Sequence, residues 1–261
     1  MTMQSAHEGR GFGKDRVNLL IDLGNSRLKW AQQDDGLWRT GAALLEAENM
    51  APLLDRVWAE MTAPRQVIVC SVAAARRLQT VEQWLRVRWS IAPRIVHSQA
   101  RQLDVTNGYR EPEQLGADRW AALIGARGLT RLAACVVDCG TAVTVDALSS
   151  SGVFLGGVIF PGLRLLRGSL VQGTQAIKTV EGNSVDCLAR STADGVAAGT
   201  LFGLAGAVER LINEYRRTLG DTTQVLLTGG DAPLLAPRLS VAFAPVPDLV
   251  LRGLARIANS L

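Results

Sequence analysis

The sequence predicts an α/β fold made of two copies of one unit, and three observations predict it. Apolar, β-rich runs alternate with helical stretches along the chain. One kind of turn occurs twice, in "VNLLIDLGNSRLKW" from Val17 and in "AACVVDCGTAVTVD" from Ala133. The 261 residues are 48% hydrophobic, enough for one large core or two modest ones. Each copy of the turn ends an apolar run in Asp-x-Gly, passes through small polar residues and returns as a second alternating run. Duplication accounts for this recurrence, with halves at 17–130 and 131–261. The polar, glycine-rich segment at 1–16 shows no periodicity and is expected to be a disordered extension.

In order, "VNLLIDLG" and "SRLKWAQQ" read as two strands joined by a tight turn, with Gly24 and Asn25 supplying unusual backbone angles. A helix is expected over about 43–61, then the strand "RQVIVCSV" and a helix over about 74–88 with Trp84 on its inner face. "RIVHSQ" is a short strand, and "PEQLGADRWAALIGARGL" opens another helix. The second half repeats the plan. Strands fall at "AACVVDCG", "AVTVDALS" and "VFLGGVIFPG", helices run over 163–219, and the strand "TQVLLTGG" precedes a C-terminal helix.

Composition narrows the function. The net charge is +4, but Lys14, Lys29 and Lys178 are the only lysines, so the positive charge is mostly arginine scattered along the chain. This pattern reads as a solvated surface or a preference for anionic small molecules, and no basic block supports nucleic-acid binding. Cys70, Cys135, Cys139 and Cys187 form no C-x-x-C pair and have no histidine nearby, so they read as buried free thiols. No unbroken apolar run approaches the ~18–20 residues of a membrane span, and the N-terminus lacks the apolar core of a signal peptide. A cytoplasmic protein is expected.

A single Asp-x-Gly is an ordinary turn signal. Two at matching places suggest more: backbone N–H groups of such turns can cradle phosphate oxygens, and a strand-end carboxylate can hold a cation beside them. Facing each other across a cleft, the two turns would grip a nucleotide triphosphate from both sides. "GADRWAAL" reads either as a helix start capped by Asp118 or as a carboxylate placed for proton transfer, and the two are compatible. Arg119 offers a bidentate fork to an anion. Tyr109 can equally be a surface-loop residue, and Thr192 a helix cap before Ala193. Gly229 and Gly230 of "LLTGGDA" suit a tight strand-to-helix connection or a close approach to a nucleotide, and "GGVIFPG" can be packing alone.

Taken together and in order, "DLGNSRLKW", "LGADRWAAL", "DCGTAVTVD", "GGVIFPG", "STADGVAAG" and "LLTGGDA" resemble type III pantothenate kinases, a group that includes the Bvg accessory factors. The resemblance runs from about Val17 to the C-terminus. It implies duplicated ribonuclease H-like domains of the acetate and sugar kinase, Hsp70 and actin superfamily, with the nucleotide in a cleft between them. It further implies ATP-dependent phosphorylation of the terminal hydroxyl of pantothenate to 4'-phosphopantothenate, the first step toward coenzyme A. A homodimer, Mg2+, and K+ or NH4+ belong to the same implication.

By the same resemblance, Asp22, Leu23, Gly24, Asn25 and Ser26 match the first phosphate loop, with Asp22 near the magnesium through water. Asp138 matches the monovalent-cation position and Thr141 an ATP-phosphate contact. Gly116, Ala117, Asp118 and Arg119 match the G-x-D-R segment, whose aspartate is the implied proton acceptor. Tyr109, seven residues before Gly116, and Thr192 match substrate-contacting positions, the latter near the dimer interface. Ser26 stands where many members carry threonine, which keeps the hydroxyl. Two other readings fit the phosphate loops: a nucleotide-binding accessory factor acting through a protein partner, and another small-molecule kinase of the superfamily.

Overall fold

β1 (Asn18–Leu23) is buried at all six positions, as a strand covered on both faces requires. In the computed structural model, which describes residues 17–34, 36–45, 50–177 and 186–261, this strand is the centre of the first of two units. The expected extension at 1–16 lies outside the described residues. β1 pairs antiparallel with β2 (Arg27–Asp34), which pairs antiparallel with β3 (Leu37–Leu44). After α1 (Met50–Val57), β4 (Gln66–Ser71) joins β1 in parallel. After α2 (Ala75–Trp89), β5 (Arg94–Ile95) joins β4, giving the order β3-β2-β1-β4-β5.

Leu19, Ile21, Leu28, Trp30, Val67 and Val69 project from one face of this sheet into a core with Leu54, Trp58, Val81, Trp84 and Leu85 of the α1–α2 region. The Trp58 ring meets Trp30 edge-on at 6.0 Å and Trp84 at 5.3 Å, and Trp84 donates its indole N–H to Asp55 at 2.8 Å. Gly41 is required here, because a Cβ would lie 2.3 Å from the Trp30 ring. A short hairpin, β6 (Arg101–Gln102) and β7 (Val105–Asn107), leads to α3 (Ala117–Leu129).

The second unit repeats the first. β8 (Ala134–Cys139), β9 (Ala142–Leu148) and β10 (Val153–Pro161) form an antiparallel meander. α4 (Leu163–Gly173) and α5 (Thr192–Leu219) follow, then β11 (Gln224–Thr228) in parallel with β8. α6 (Ala232–Leu235) precedes β12 (Ala244–Pro245), which pairs with β11. The strands run β10-β9-β8-β11-β12, which matches β3-β2-β1-β4-β5 strand for strand. Cys135, Val137, Val143, Val145, Val225 and Leu227 of this sheet pack against Leu201, Leu204, Val208 and Ile212 of α5.

Several expectations need correction. The helix expected over 43–61 begins only at Met50: residues through Leu44 form β3, an edge strand closed onto β2 by a turn at Gly36, whose φ is +94°. The Asp-Gly pair before Leu37 was the hairpin signal for it, and 46–49 lie outside the described residues. Gly24 and Asn25 do not adopt left-handed angles; a Cβ on Gly24 would lie 3.2 Å from the Arg27 carbonyl, so close approach is what calls for glycine. Cys187 is exposed, unlike the other three cysteines. Among the described residues one helix, α5, is long and apolar enough to cross a membrane by length and composition, although no unbroken apolar run exists. One face of α5 fills the second core, which accounts for its apolar character.

The final helix, Leu249–Asn259, was expected with the second half, but Asp248–Leu261 belongs to the first unit with Met1–Leu129. It crosses α3 at backbone distance: a Cβ on Gly253 would lie 1.8 Å from the Ala121 carbonyl oxygen, and one on Gly125 2.4 Å from that of Leu249. Gly253→Ala should therefore destabilise the protein by about 1–3 kcal/mol, the cost of overpacking, despite the ~1 kcal/mol that alanine gains over glycine in a helix. A urea melt checks this, and a higher midpoint in the variant would contradict the close crossing.

Candidate active site

Both Asp-x-Gly turns stand where a central strand ends and its antiparallel neighbour begins. Asp22 is the fifth residue of β1, 8% exposed, and pairs across the sheet with Lys29 on β2 and with Cys70 on β4. The Cys70 thiol donates to Asp22 Oδ1 at 3.7 Å. Asp138 holds the same place on β8, between Thr144 on β9 and Thr228 on β11. Each turn is closed by its glycine: Gly24 N–H donates to the Arg27 carbonyl at 3.0 Å and Gly140 N–H to that of Ala142 at 3.1 Å. Those two N–H groups are spent inside the turns, which narrows the expected phosphate cradle to the residues that follow. Leu23 points into the core, so only its backbone faces the turn, whereas Asn25 is exposed and Ser26 half-buried.

The second turn is braced by two further glycines. Gly162 N–H donates to the Thr141 carbonyl at 2.9 Å, and a Cβ there would lie 2.3 Å from the Gly140 oxygen. Gly229, at φ +98°, lies against the backbone of Cys139, and the next turn is fixed by Asp231 N–H donating to the Cys139 carbonyl at 2.9 Å. "GGVIFPG" and "LLTGGDA" thus both shape the Asp138–Thr141 turn. The Cys139 thiol is pushed up to about 12 by burial and by the charges of Asp138 and Asp231, so it is an inert packing group.

Asp118 lies inside the first turn of α3 rather than at its cap, since the helix begins at Ala117 and Trp120 N–H already bonds the Gly116 carbonyl. Its carboxylate accepts the Arg119 backbone N–H at 2.7 Å. Burial raises its pKa, and the Arg119 N–H bond with the charges of Arg119 and Lys29 opposes that rise. Cys70 is raised well above the usual thiol value by burial first and then by Asp22 and Asp118. These opposing influences mark Asp22, Lys29, Cys70 and Asp118 as one electrostatic cluster within the first unit. Gly116 is confined by Asp118 Oδ1, 2.7 Å from where a Cβ would stand, and by Val72 just beyond β4, at 3.7 Å.

Arg119 is 7% exposed and donates from Nη1 to the Tyr109 hydroxyl at 3.0 Å. Tyr109 is half-buried rather than a free surface residue, and its backbone N–H is held by Asn107 Oδ1 at 3.0 Å. Asn107 also donates to the Pro112 carbonyl at 3.0 Å and so shapes the loop that presents Tyr109. Thr192 is exposed at the first helical position of α5; the cap is Ser191, whose hydroxyl accepts the Asp194 N–H. Lys29, Cys70 and Asn107 escaped the sequence reading. Strand pairing selects the first two, while the Asn-Gly before Tyr109 was a visible turn signal for the third.

Two ribonuclease H-like units whose five strands share one order, each ending its central strand in Asp-x-Gly, define the actin-like ATPase and sugar-kinase fold. Solved structures agree on the fold: a Baf family transcriptional activator from Campylobacter jejuni superimposes with a TM-score of 0.56 at 20% identity, covering 93% of this chain and 98% of that one. A 2-dehydro-3-deoxygalactonokinase protein from Sinorhizobium meliloti gives 0.55 at 17% identity over the same shares. The chain belongs to the type III pantothenate kinase family, whose sequence pattern matches residues 18–214. A type III pantothenate kinase of Aromatoleum aromaticum is 42% identical over 92% of this chain and 97% of its own length. One from Nitrosococcus oceani is 37% identical over 92% and 93%.

The raised pKa of Asp118 carries a stability consequence. A carboxyl whose folded pKa lies above its unfolded value stabilises most below the unfolded value, and that contribution is lost as pH rises through the folded one. At neutral pH the folded protein therefore bears the cost of burying this carboxyl. Asp118→Asn should melt at a higher temperature than wild type at neutral pH, and the gap should close as pH falls below the ordinary 3.8. Thermal melts across that range test it; an equal or lower melting temperature for the variant at neutral pH would show that burial does not dominate.

Proposed function

We propose that this protein transfers the γ-phosphoryl group of ATP to the terminal hydroxyl of pantothenate, forming 4'-phosphopantothenate at the start of coenzyme A biosynthesis. Family membership carries this reading, and the buried Arg119–Tyr109 pair beside Asp118 supports it. Phosphoryl transfer asks a protein chiefly for positioning and charge neutralisation. Asp118 takes the proton of the acceptor hydroxyl. Arg119 and Tyr109 hold the polar end of the substrate, with the Gly116–Ala117 backbone and Thr192 completing its contacts. Asn25, Ser26 and the Leu23–Gly24 backbone meet ATP phosphates from the first turn, and Thr141 meets them from the second.

The residues fit the two metal ions differently. Among the described residues no group of three or more His, Cys, Asp and Glu side chains could hold a metal. Mg2+ suits Asp22 on those terms, because it keeps waters and binds through one or two carboxylates plus substrate phosphates. At the second turn, Thr144 Oγ1 is buried with no hydrogen-bond partner among the described residues, opposite Asp138, and Thr228, whose hydroxyl donates to the Pro247 carbonyl at 3.4 Å and keeps its lone pairs, stands on the other side. A carboxylate between two hydroxyls is an oxygen donor set suited to K+ or NH4+. When bound, the two cations neutralise phosphate charge.

A homodimer fits the exposed side of α5. Phe202 is 39% exposed there beside Gly195, Gly199, Gly203 and Gly206, none of which has a neighbour among the described residues where a Cβ would stand, and Leu165 of α4 is exposed as well. An apolar, small-residue face of this kind suits self-association, and Thr192 opens the same helix. Three buried thiols fit a reducing, cytoplasmic setting.

Purified protein with ATP, Mg2+ and K+ should release ADP only when pantothenate is present, and Asp118→Asn should lower kcat about 100-fold or more with little change in KM. A coupled ADP assay reads both. ADP release indifferent to pantothenate, or normal turnover by the variant, would overturn the reading, and a complete lack of product would favour the accessory-factor alternative.

The two turns should also fail separately. Asp138→Asn should weaken ATP binding and abolish the response to K+ while leaving Mg2+ dependence intact, and Asp22→Asn should do the reverse. Titrating each variant against each cation separates them; identical defects would contradict the division.

A further inference from the structure

A cavity of about 510 Å³ opens in the first unit, away from that unit's Asp-x-Gly turn. Gln33, on its wall, pairs with Asn18 at the start of β1, whereas Asp22 lies near the end of that strand. The floor is backbone: Gly125 and Gly128 line it from α3, and Gly36 from the turn between β2 and β3. Trp38 of β3 and Arg252 and Arg256 of the final helix form walls. Small-molecule sites span about 300–1,000 Å³, so the space is of ligand size.

No acidic side chain lines the cavity among the described residues. Asp248 and Asp104, which pair with the two arginines, are not part of its walls. Asp248 accepts the Trp38 indole N–H at 2.8 Å on one oxygen and Arg252 Nε at 2.8 Å on the other. One carboxylate thus fixes both groups, with the guanidinium 6.0 Å from the centre of the indole ring. Arg256 is committed to the fold, because its Nη groups donate to the Ile124 carbonyl at 2.7 Å and to Asp104 at 3.0 Å. Arg252 is not. Its Nη groups have no acceptor among the described residues, and its side chain is 46% exposed.

The Trp38–Asp248 bond alone would pin β3 to the start of the final helix. Arg252 adds the open edge of a planar fork, which matches a carboxylate, and the indole beside it offers a flat apolar face to a ring. One uncommitted guanidinium, itself partly neutralised by Asp248, suits a monoanion; the second charge of a phosphate ester would find no partner. We propose that this cavity is a second ligand site, taking a small planar aromatic carboxylate whose carboxylate pairs with the Nη edge of Arg252 and whose ring packs against Trp38. The inference does not rest on the kinase reading, since no cavity residue belongs to the proposed catalytic apparatus.

The test titrates the full chain with naphthalene-2-carboxylate, following the indole N–H signals by NMR and the affinity by calorimetry. The Trp38 signal, identified by its loss in Trp38→Phe, should shift saturably with a Kd of about 1 mM or tighter, the scale for a ligand of this size. Naphthalene-2-methanol, which keeps the ring and lacks the charge, should bind about tenfold or more weakly. Arg252→Gln should weaken the carboxylate by a similar factor, and Arg252→Lys should fall between, keeping the charge without the fork. Saturating ATP and Mg2+ should leave the affinity unchanged. A Trp38 signal that does not move, an alcohol that binds as well as the acid, or undiminished binding by Arg252→Gln would overturn the site. Displacement by ATP would overturn it too, by placing the probe at the nucleotide turns. Circular dichroism checks that the variants fold, and the comparison of acid with alcohol on wild type needs no variant at all.

Discussion

Strand register at the ends of β1 and β8 is the constraint on which the rest depends. Pairing places Asp22 between β2 and β4, and Asp138 between β9 and β11, with each turn glycine closing onto the returning strand. A slip of one residue in either sheet would send the carboxylate to the core face, where Ile21 or Val137 now packs. Apolar alternation therefore enforces polar chemistry: Leu19, Ile21 and Leu23 are held in place by their core, and Asp22 faces the other way as a consequence.

Duplication kept this frame and varied its contents. Both units run the same strand order, and both use glycine where a side chain would strike the opposing carbonyl, at 3.2 Å for Gly24 and 3.3 Å for Gly140. The residues across from the aspartates then diverged into a cation and a thiol in one unit and two hydroxyls in the other. Helix α3 adds the third carboxylate, Asp118, and is anchored by the C-terminal helix through the Gly125 and Gly253 contacts. That anchor explains why the last residues of the chain belong with the first unit.

Much of this was legible in the sequence. The paired Asp-x-Gly runs announced the duplication, and the strands at β1, β2, β4, β8, β9, β10 and β11 follow from their apolar patterns. β3 was missed because Ala42, Ala43 and Leu44 are good helix formers, and pairing with β2 overrode that propensity. The place of the final helix was illegible because an amphipathic pattern says that a face is buried but not against what. Arg119 and Tyr109 were each visible, but their hydrogen bond joins α3 to a loop that Asn107 shapes. Lys29 and Cys70 are unremarkable in sequence, and only cross-strand pairing makes them neighbours of Asp22.

On the function proposed above, the two copies of one turn take up different ions, a divalent one at Asp22 and a monovalent one at Asp138. Anomalous diffraction from crystals grown with a non-hydrolysable ATP analogue, Mn2+ and Tl+ tests it most directly, because the two metals are told apart by wavelength. A manganese peak is expected on the Asp22 side and a thallium peak within coordination distance of Asp138 and the Thr144 hydroxyl. Both metals at one aspartate, or thallium absent from Asp138 in an analogue-bound crystal, would contradict it.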